Sequence, residues 1–578
     1  MSTKWFDPRD LLFKSPFGAV PRGADVSFCF RPECGAAVTR CELLAHGEFA
    51  DQWTTVELTP AQEDGHVVYR GIFTAPDDVE LVWYHFRLSW ADGGTSCYGK
   101  NGLCAWDAVE PWQLTVYDDT HKTPAWFGRG VTYQIFPDRF RRAKSRDVAG
   151  LVGPRTLHDN WDELPEYRPN AEGEITCSDF FGGDLQGITE KLDYLVSLGV
   201  TTLYLCPIFE ASTNHRYDTA CYERIDPLLG DEADFRTLCA EAKKRGIYVM
   251  LDGVFNHTGR KSVYFNADGF YDDLGAAQGE QSPYYRWYNF HPFPDEYDAW
   301  WGIKNLPAVN ELEKSYVDYI IEGDNSIIKY WLRAGASGWR LDVADELPDE
   351  FIAKIRAAMN EESPDTYLLG EVWEDGTTKI AYSQRRKYLL GRETNGLMNY
   401  PFRTALMAYL LGGGAEYFRD SMEELRENYP APAFYGAMNF LSTHDTPRLL
   451  TILGLTSPAP QTRDERAVYQ LSDSDLARGM SLLKLAALIL YTFPGSPMLY
   501  YGDEAGMQGF EDPLNRATYP WGCEDAALLA LYRRLGQLRR GRISLQSGSI
   551  AYLAAEGGVL AILRQSGAER TLTALNAG

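Results

Sequence analysis

The spacing of apolar positions changes along the chain, and each change marks a different kind of element. Over residues 1 to about 122, aromatic and branched residues come in strand-length runs such as Val79-Glu80-Leu81-Val82-Trp83-Tyr84-His85-Phe86-Arg87-Leu88. Turns such as Ala91-Asp92-Gly93-Gly94 separate them, which predicts a β-sandwich. From Gly130 strands alternate with helical periods. Residues 131–137 read as a strand, and a polar, Pro-rich excursion runs to about Cys177. Ile188, Leu192 and Leu195 then recur at helical spacing, with Gly199 as a stop. Residues 200–207 form a strand, 235–245 a helix closed by Gly246, and 247–252 another strand. Further strands fall at 339–343, 367–372, 396–400, 439–443 and 498–501. Eight strands with helical intervals predict a multidomain α/β protein centred on a (β/α)8 TIM barrel.

One interval is too long for a simple loop. Between Asn256 and about Val317 the chain is rich in aromatics, Pro, Gly and Asp, the mark of a functional insertion over a barrel mouth. Within it, Trp300-Trp301 serves equally well as a sugar platform or as the small core of the insertion. After about Arg540 the pattern turns strand-like again, as in Gly558-Val559-Leu560-Ala561-Ile562-Leu563. The expected organisation is therefore an N-terminal β-sandwich (1–122), a barrel in two parts (123–257 and 317–540), an inserted domain (258–316) and a short C-terminal β segment (541–578). That last segment is too small to fold alone, so it either leans on the barrel or is cut short. Aromatics in the first domain either fill its core or present a glycan-binding surface.

Charge narrows the partners. The formal net charge is -25 over 578 residues. Such a chain repels phosphate backbones and anionic lipid, so neither nucleic acid nor a membrane is an expected partner, whereas a neutral sugar fits. The N-terminus lacks an apolar run followed by a small-residue cleavage site, and no span is long enough to cross a bilayer. The ten cysteines are scattered, with no Cys-x-x-Cys pair. Free thiols in a reducing cytoplasm are the expectation.

Chemistry gathers at the predicted strand ends. In Gly338-Trp339-Arg340-Leu341-Asp342, alternation puts Arg340 and Asp342 on one side of a strand, and a cation there favours the ionised carboxylate that a nucleophile requires. Asp252, Glu371 and Asp445 close other predicted strands. Stability does not call for acids at so many strand ends, because clustered carboxylates repel. Two carboxylates astride a glycosidic bond carry out glycoside hydrolysis. A metal site is the rival use of such acids, but His257, His444 and Arg340 argue against it, since a metal cluster needs no arginine.

From Gly130 onward the chain resembles the α-amylase family, glycoside hydrolase family 13. Within it the likeness is to neopullulanases, cyclomaltodextrinases, maltogenic amylases and amylopullulanases. The resemblance rests on Tyr133-Gln134-Ile135-Phe136-Pro137-Asp138-Arg139-Phe140, Phe181-Gly182-Gly183-Asp184-Leu185, His215-Arg216-Tyr217-Asp218-Thr219 and Met398-Asn399-Tyr400-Pro401-Phe402-Arg403, besides the acid-bearing segments. It implies Asp342 as nucleophile, Glu371 as general acid/base and Asp445 as transition-state stabiliser. Asp252, Arg340, His257 and His444 would belong to the same subsite, with Tyr217 stacking on the ring. Asp512 and Arg516 match a substrate-contacting Asp-x-x-x-Arg pair, and Trp373 and Glu346 match the leaving-group side. The implied activity is retaining hydrolysis of α-1,4-linked glucans, with pullulan and cyclodextrins as further substrates. The alternatives are an α-1,6-preferring pullulanase, a transglycosylase, and a non-catalytic glycan-binding barrel.

Three departures from the group stand out. Ala308 sits where a lysine usually follows the proline of Leu306-Pro307, and Asp345 precedes Glu346 where many neopullulanases carry Asn. The loop after the first strand, Arg141-Arg142-Ala143-Lys144-Ser145-Arg146-Asp147, is basic where some members bind calcium. No cofactor is required on this reading, and structural calcium is not expected at that loop, although backbone oxygens elsewhere leave an ion site open. A homodimer is also left open.

Overall fold

The computed structural model describes residues 4–63, 65–120, 122–171 and 173–578, in two units. The first comprises the N-terminal residues to 122 together with 375–393 and 422–434. One long strand, Gln52–Glu63, organises it. Its first half pairs antiparallel with Val38–Gly47 and its second half with His66–Thr74, so one strand serves two layers. Between the layers lie Phe28, Phe30, Leu43, Tyr84, Phe86 and Trp112. Phe6 packs edge-on against Phe86 and Trp112 at 4.8 and 4.9 Å, so much of the aromatic content is core.

The second unit (123–374, 394–421 and 435–578) holds the barrel. Its strands are β1 (Val131–Ile135), β2 (Val200–Leu205), β3 (Tyr248–Gly253), β4 (Gly338–Leu341), β5 (Tyr367–Gly370), β6 (Gly396–Leu397), β7 (Met438–Asn439) and β8 (Ser496–Tyr500). They pair in parallel in the order β6-β5-β4-β3-β2-β1-β8-β7. A parallel bridge between Met398 and Met438 joins the two ends. All six residues of β2 and all five of β8 are buried, as strands packed on both faces require.

Several strands end earlier than their apolar runs suggest, always on the C-terminal side. β6 stops at Leu397 because Asn399-Tyr400-Pro401 starts a helix: the Asn399 side chain accepts from the Phe402 amide and Pro401 fills the first turn. β4 stops at Leu341 because Val343 turns to φ 42°, left-handed backbone that a β-branched residue rarely adopts. Between β1 and β2 the expected helix breaks at Lys191 into Leu185–Glu190 and Leu192–Ser197. Gly199 then takes φ 80°, where any side chain would collide with the Gly536 backbone.

The insertion has little regular structure. Its aromatic core is Tyr264, Phe265, Trp287 and Tyr288, all buried, and Trp300-Trp301 stands apart from it. The last three strands, Ser549–Glu556, Val559–Ser566 and Glu569–Asn576, form an antiparallel sheet that leans on the barrel helices. The Arg564 Nη1 donates to the Thr492 carbonyl at 2.8 Å, and the Tyr409 hydroxyl donates to the Gly558 carbonyl at 2.7 Å. Among the described residues no helix is long and apolar enough to cross a membrane.

Candidate active site

Strand register assembles the site. Asp252 on β3 lies opposite Arg340 on β4, and Leu341 on β4 lies opposite Gly370 on β5. The residues following Leu341 and Gly370 are Asp342 and Glu371, so the two acids leave adjacent strands at one level. Arg340 is fully buried beneath them. Its Nη1 donates to Asp252 Oδ1 at 2.7 Å and to Asp342 Oδ1 at 2.8 Å, and its Nη2 contacts Glu371 Oε2 at 2.7 Å. The same Oε2 accepts the Val343 amide at 2.9 Å, which only the left-handed turn at Val343 makes available. Glu371 Oε1 faces the Trp373 indole N–H and the Tyr400 hydroxyl, both at 3.3 Å. Asp342 Oδ2 has no protein partner among the described residues.

A second chain of hydrogen bonds enters from the other side. Gln134 Nε2 donates to His444 Nδ1 at 2.8 Å, which puts the histidine proton on Nε2. That nitrogen lies 2.5 Å from the Tyr217 hydroxyl, which in turn donates to Asp252 Oδ2 at 2.9 Å. Tyr204 also donates to Asp252 Oδ2, at 2.8 Å. Burial, followed by Arg516 and Arg340, holds His444 well below the usual imidazole range, so the ring is neutral. Tyr217 stacks on His444 with the rings 6° from parallel.

The acids feel burial and one another. Burial pushes the Asp342 carboxyl well up, and Glu371, Asp252 and Asp445 add to this while Arg340 opposes it. Asp252 is raised by the same burial, with Arg340 again opposing. Asp445 is raised too, although a third of its side chain is open and water there weakens the push; Arg516 opposes the rise. Asp252, Asp342 and Asp445 are thus all pushed toward the neutral form, by burial first and by the neighbouring acids where they are close, with Arg340 and Arg516 opposing.

Above these groups lies a cleft of about 700 Å³. Asp342, Glu371, Asp445, Tyr217, His257, His444, Trp373, Asp512 and Arg516 line it. Arg340, Asp252 and Glu346 are outside this lining; Arg340 and Asp252 support the acids, and the Trp301 indole N–H donates to Glu346 Oε1 at 3.1 Å. Asp512 pairs with Arg516 at 3.0 Å, and Arg516 Nη2 approaches Asp445 Oδ1 at 3.5 Å. Trp373 stacks on Tyr400 at 4.2 Å. His257 is buried, with Nε2 unpartnered and its pKa lowered by burial to about 4. Ala308 makes an antiparallel bridge with His257.

Sequence reasoning passed over Gln134, Tyr204, Val343 and Tyr400. The first two read as ordinary strand residues, and only pairing with distant segments reveals their use. Gln134 and Tyr400 both lie within motifs that carry the resemblance, without a role of their own there. The Trp300-Trp301 doublet belongs to the cleft: Trp300 stacks on His257 and Trp301 on Trp300. Trp301 is 79% exposed in left-handed backbone at φ 48°. Cys177 and Val343, also at positive φ, line the same cleft, so backbone strain concentrates there.

Residues 134–529 match the model of the α-amylase catalytic domain. The chain belongs to the α-amylase family. An amylopullulanase from Thermoanaerobacter thermohydrosulfuricus is 36% identical over 616 residues, covering 97% of this chain and 40% of that protein. A cyclomaltodextrinase from Geobacillus thermopakistaniensis is 34% identical, covering 79% of this chain and 70% of that protein. Among solved structures, the type III pullulan hydrolase from Thermococcus kodakarensis is 28% identical with a TM-score of 0.68, covering 99% of this chain and 93% of that one. The chain spans only 32% to 46% of the length of three curated amylopullulanases it matches.

Proposed function

We propose that this member of the α-amylase family is a retaining hydrolase of α-1,4-linked glucans. The observation that carries the reading is Arg340 holding Asp342 and Glu371 through one guanidinium while both acids line the cleft. Asp342 Oδ2 attacks the anomeric carbon. Glu371 delivers its proton from Oε1, the more loosely held oxygen, with the Trp373 indole N–H and the Tyr400 hydroxyl at 3.3 Å, whereas Oε2 is held by Arg340 Nη2 at 2.7 Å and the Val343 amide at 2.9 Å. As the bond to the leaving sugar breaks, that proton passes to the leaving oxygen and a glycosyl ester forms on Asp342. Water, losing its proton to Glu371, then opens the ester. Asp445 holds sugar hydroxyls beside His257 and His444, and Asp512 with Arg516 binds a neighbouring unit. The leaving sugar lies toward Trp373, Trp301 and Glu346.

The α-glucan assignment draws support from relatives named for amylose, pullulan and cyclomaltodextrin. No cofactor enters the chemistry. At the basic loop, the Asp184 oxygens accept the Gly187, Ala143 and Lys144 amides, leaving them poorly placed for a calcium ion. A cytoplasmic setting is consistent with ten free thiols. Neither nucleic acid nor a membrane enters the reading. Digestion of pullulan tests the linkage. Panose indicates α-1,4 cleavage, and maltotriose with no action on amylose would overturn the assignment. No action on any α-glucan by the folded chain would favour a binding protein.

A further inference from the structure

The N-terminal unit holds two thiols in an arrangement its other cysteines lack. The strands Glu80–Trp90, Thr95–Gly99 and Gly102–Cys104 pair antiparallel in that order, and their register sets Arg87 opposite Cys97 and Cys97 opposite Cys104. Directly opposed side chains leave the same face of a sheet. Their Cα atoms lie about 4.5–5.5 Å apart, inside the range of about 4.4–6.8 Å that a disulfide spans. Among the described strand pairings no other cysteine faces a cysteine. The hairpin is tight, with Gly99 facing Gly102 and Gly102 at φ 83°, so the turn itself fixes the register that opposes the thiols. The two sulfurs differ in access. Cys97 is 2% exposed, whereas Cys104 is part-exposed on an edge strand that pairs with Thr95–Gly99 alone among the described residues. Burial raises the Cys97 thiol, Cys104 adds to the rise and Arg87 opposes it. Burial also raises Cys104, whose Sγ donates to Asn101 Oδ1 at 3.6 Å, an interaction that opposes the rise. Neither sulfur is a standing thiolate, so each must lose its proton before it reacts.

We propose that Cys97 and Cys104 are a redox-responsive pair whose disulfide staples this sheet edge. The oxidant is a small-molecule disulfide. Cys104, the accessible sulfur, gives its proton to solvent and attacks one sulfur of the oxidant. One small thiolate leaves and a mixed disulfide forms. Cys97, deprotonated in turn, attacks Cys104 Sγ, and the second small thiolate leaves. The protein has lost two electrons and two protons, and the oxidant has become two thiols. Excess reducing thiol runs the same steps backwards. A reducing compartment keeps the pair open and an oxidising one closes it. The effect of the bond follows from the edge. Gly102–Cys104 is three residues long with one neighbouring strand, so few hydrogen bonds must break for it to open. A covalent tie at its last residue holds that strand, and with it the turn Trp106–Ala108 that follows.

Peptide mapping tests the pair. The full chain, folded and reduced, is treated with oxidised glutathione at about pH 8.5, the ordinary thiol value. It is then quenched in acid, alkylated in denaturant and digested with trypsin. Cleavage after Arg87, Lys100 and Lys122 puts the two cysteines on separate peptides, 88–100 and 101–122. The expected product is those two peptides joined, two hydrogens lighter than their sum, and separated again by reductant. Glutathione left on Cys104 with Cys97 alkylated overturns the proposal, as do links from either thiol to another cysteine. So does a link that forms only when the chain is oxidised in denaturant. Hydrogen exchange reads the staple. Amides of residues 102–104 should exchange at least about tenfold more slowly in the oxidised chain than in the reduced one. Cys104→Ser, which cannot close the bond, should show no slowing under the same treatment. Equal exchange in the oxidised and reduced parent, or equal slowing in the variant, overturns the staple. Neither readout depends on activity.

Discussion

Arg340→Gln removes one cation from three carboxylates at once. The guanidinium contacts Asp252 at 2.7 Å, Asp342 at 2.8 Å and Glu371 at 2.7 Å, and all four side chains are less than a tenth exposed. Removing one partner of a buried pair costs about 3–5 kcal/mol. Three pairs sharing one cation do not add independently, so the expected loss at neutral pH is about 5 kcal/mol, the top of that range. The loss should depend on pH with a definite sign. Burial already raises Asp252 and Asp342 above their unfolded values, and Arg340 limits the rise. A carboxyl raised in the folded state contributes stability at low pH and loses it as pH climbs through the raised value. Without Arg340 both groups rise further, so the deficit is largest on the alkaline side and shrinks as the carboxyls take up protons. At low pH the parent instead keeps a buried cation with protonated partners, which narrows the gap again. Urea unfolding of parent and variant at about pH 8 and about pH 5, on either side of neutrality and above the unfolded carboxyl values, reads the difference. A deficit that is equal at both, or larger at the acidic pH, would refute the reasoning. Arg340→Lys keeps the charge without the fork and should fall between the two.

Other predictions concern the cleft. Glu371→Gln should lower kcat/KM on maltotriose, which reports ester formation, by ~10²–10⁴-fold, but far less on α-glucosyl fluoride, whose leaving group needs no proton. Equal losses on both would exclude Glu371 as the acid. Tyr217→Phe deletes a hydroxyl that donates to Asp252 and faces His444 Nε2, so kcat/KM should fall roughly 10–100-fold, and an unchanged value would sever that hydrogen-bond chain from function. Arg516 opposes the upward push on Asp445. Arg516→Met should therefore raise the Asp445 pKa and move the acidic limb of the kcat/KM profile to higher pH, whereas a shift to lower pH would contradict the role given to Asp445.

The parts of this molecule legible from its sequence are those governed by local period and chain order. The barrel strands, the Gly199 and Gly246 stops and the acids at strand ends all follow from spacing. Strand ends were less legible because signals compete there: Asn399-Tyr400-Pro401 continues an apolar run yet caps a helix, and nothing in Asp342-Val343 announces left-handed backbone. The supporting groups were least legible. Gln134 acts through His444, 310 residues away, and such pairing exists only after β1 and the segment following β7 meet. Arg340 is an instructive middle case. Alternation put it beside Asp342, but its contacts to Asp252 and Glu371 depend on the register of three strands. The Trp300-Trp301 doublet was undecidable from composition, since core and platform use the same residue; exposure and the stack on His257 take it out of the insertion's core.

The most direct test of the proposed chemistry is to trap the glycosyl ester. A 5-fluoro-α-glucosyl fluoride carries a good leaving group while slowing breakdown of the intermediate. Peptide mass mapping of the inactivated chain should find one glycosyl adduct, on the peptide carrying Asp342 and at that carboxylate. An adduct on Glu371 or Asp445, or turnover with no ester on any carboxylate, would contradict Asp342 as the nucleophile.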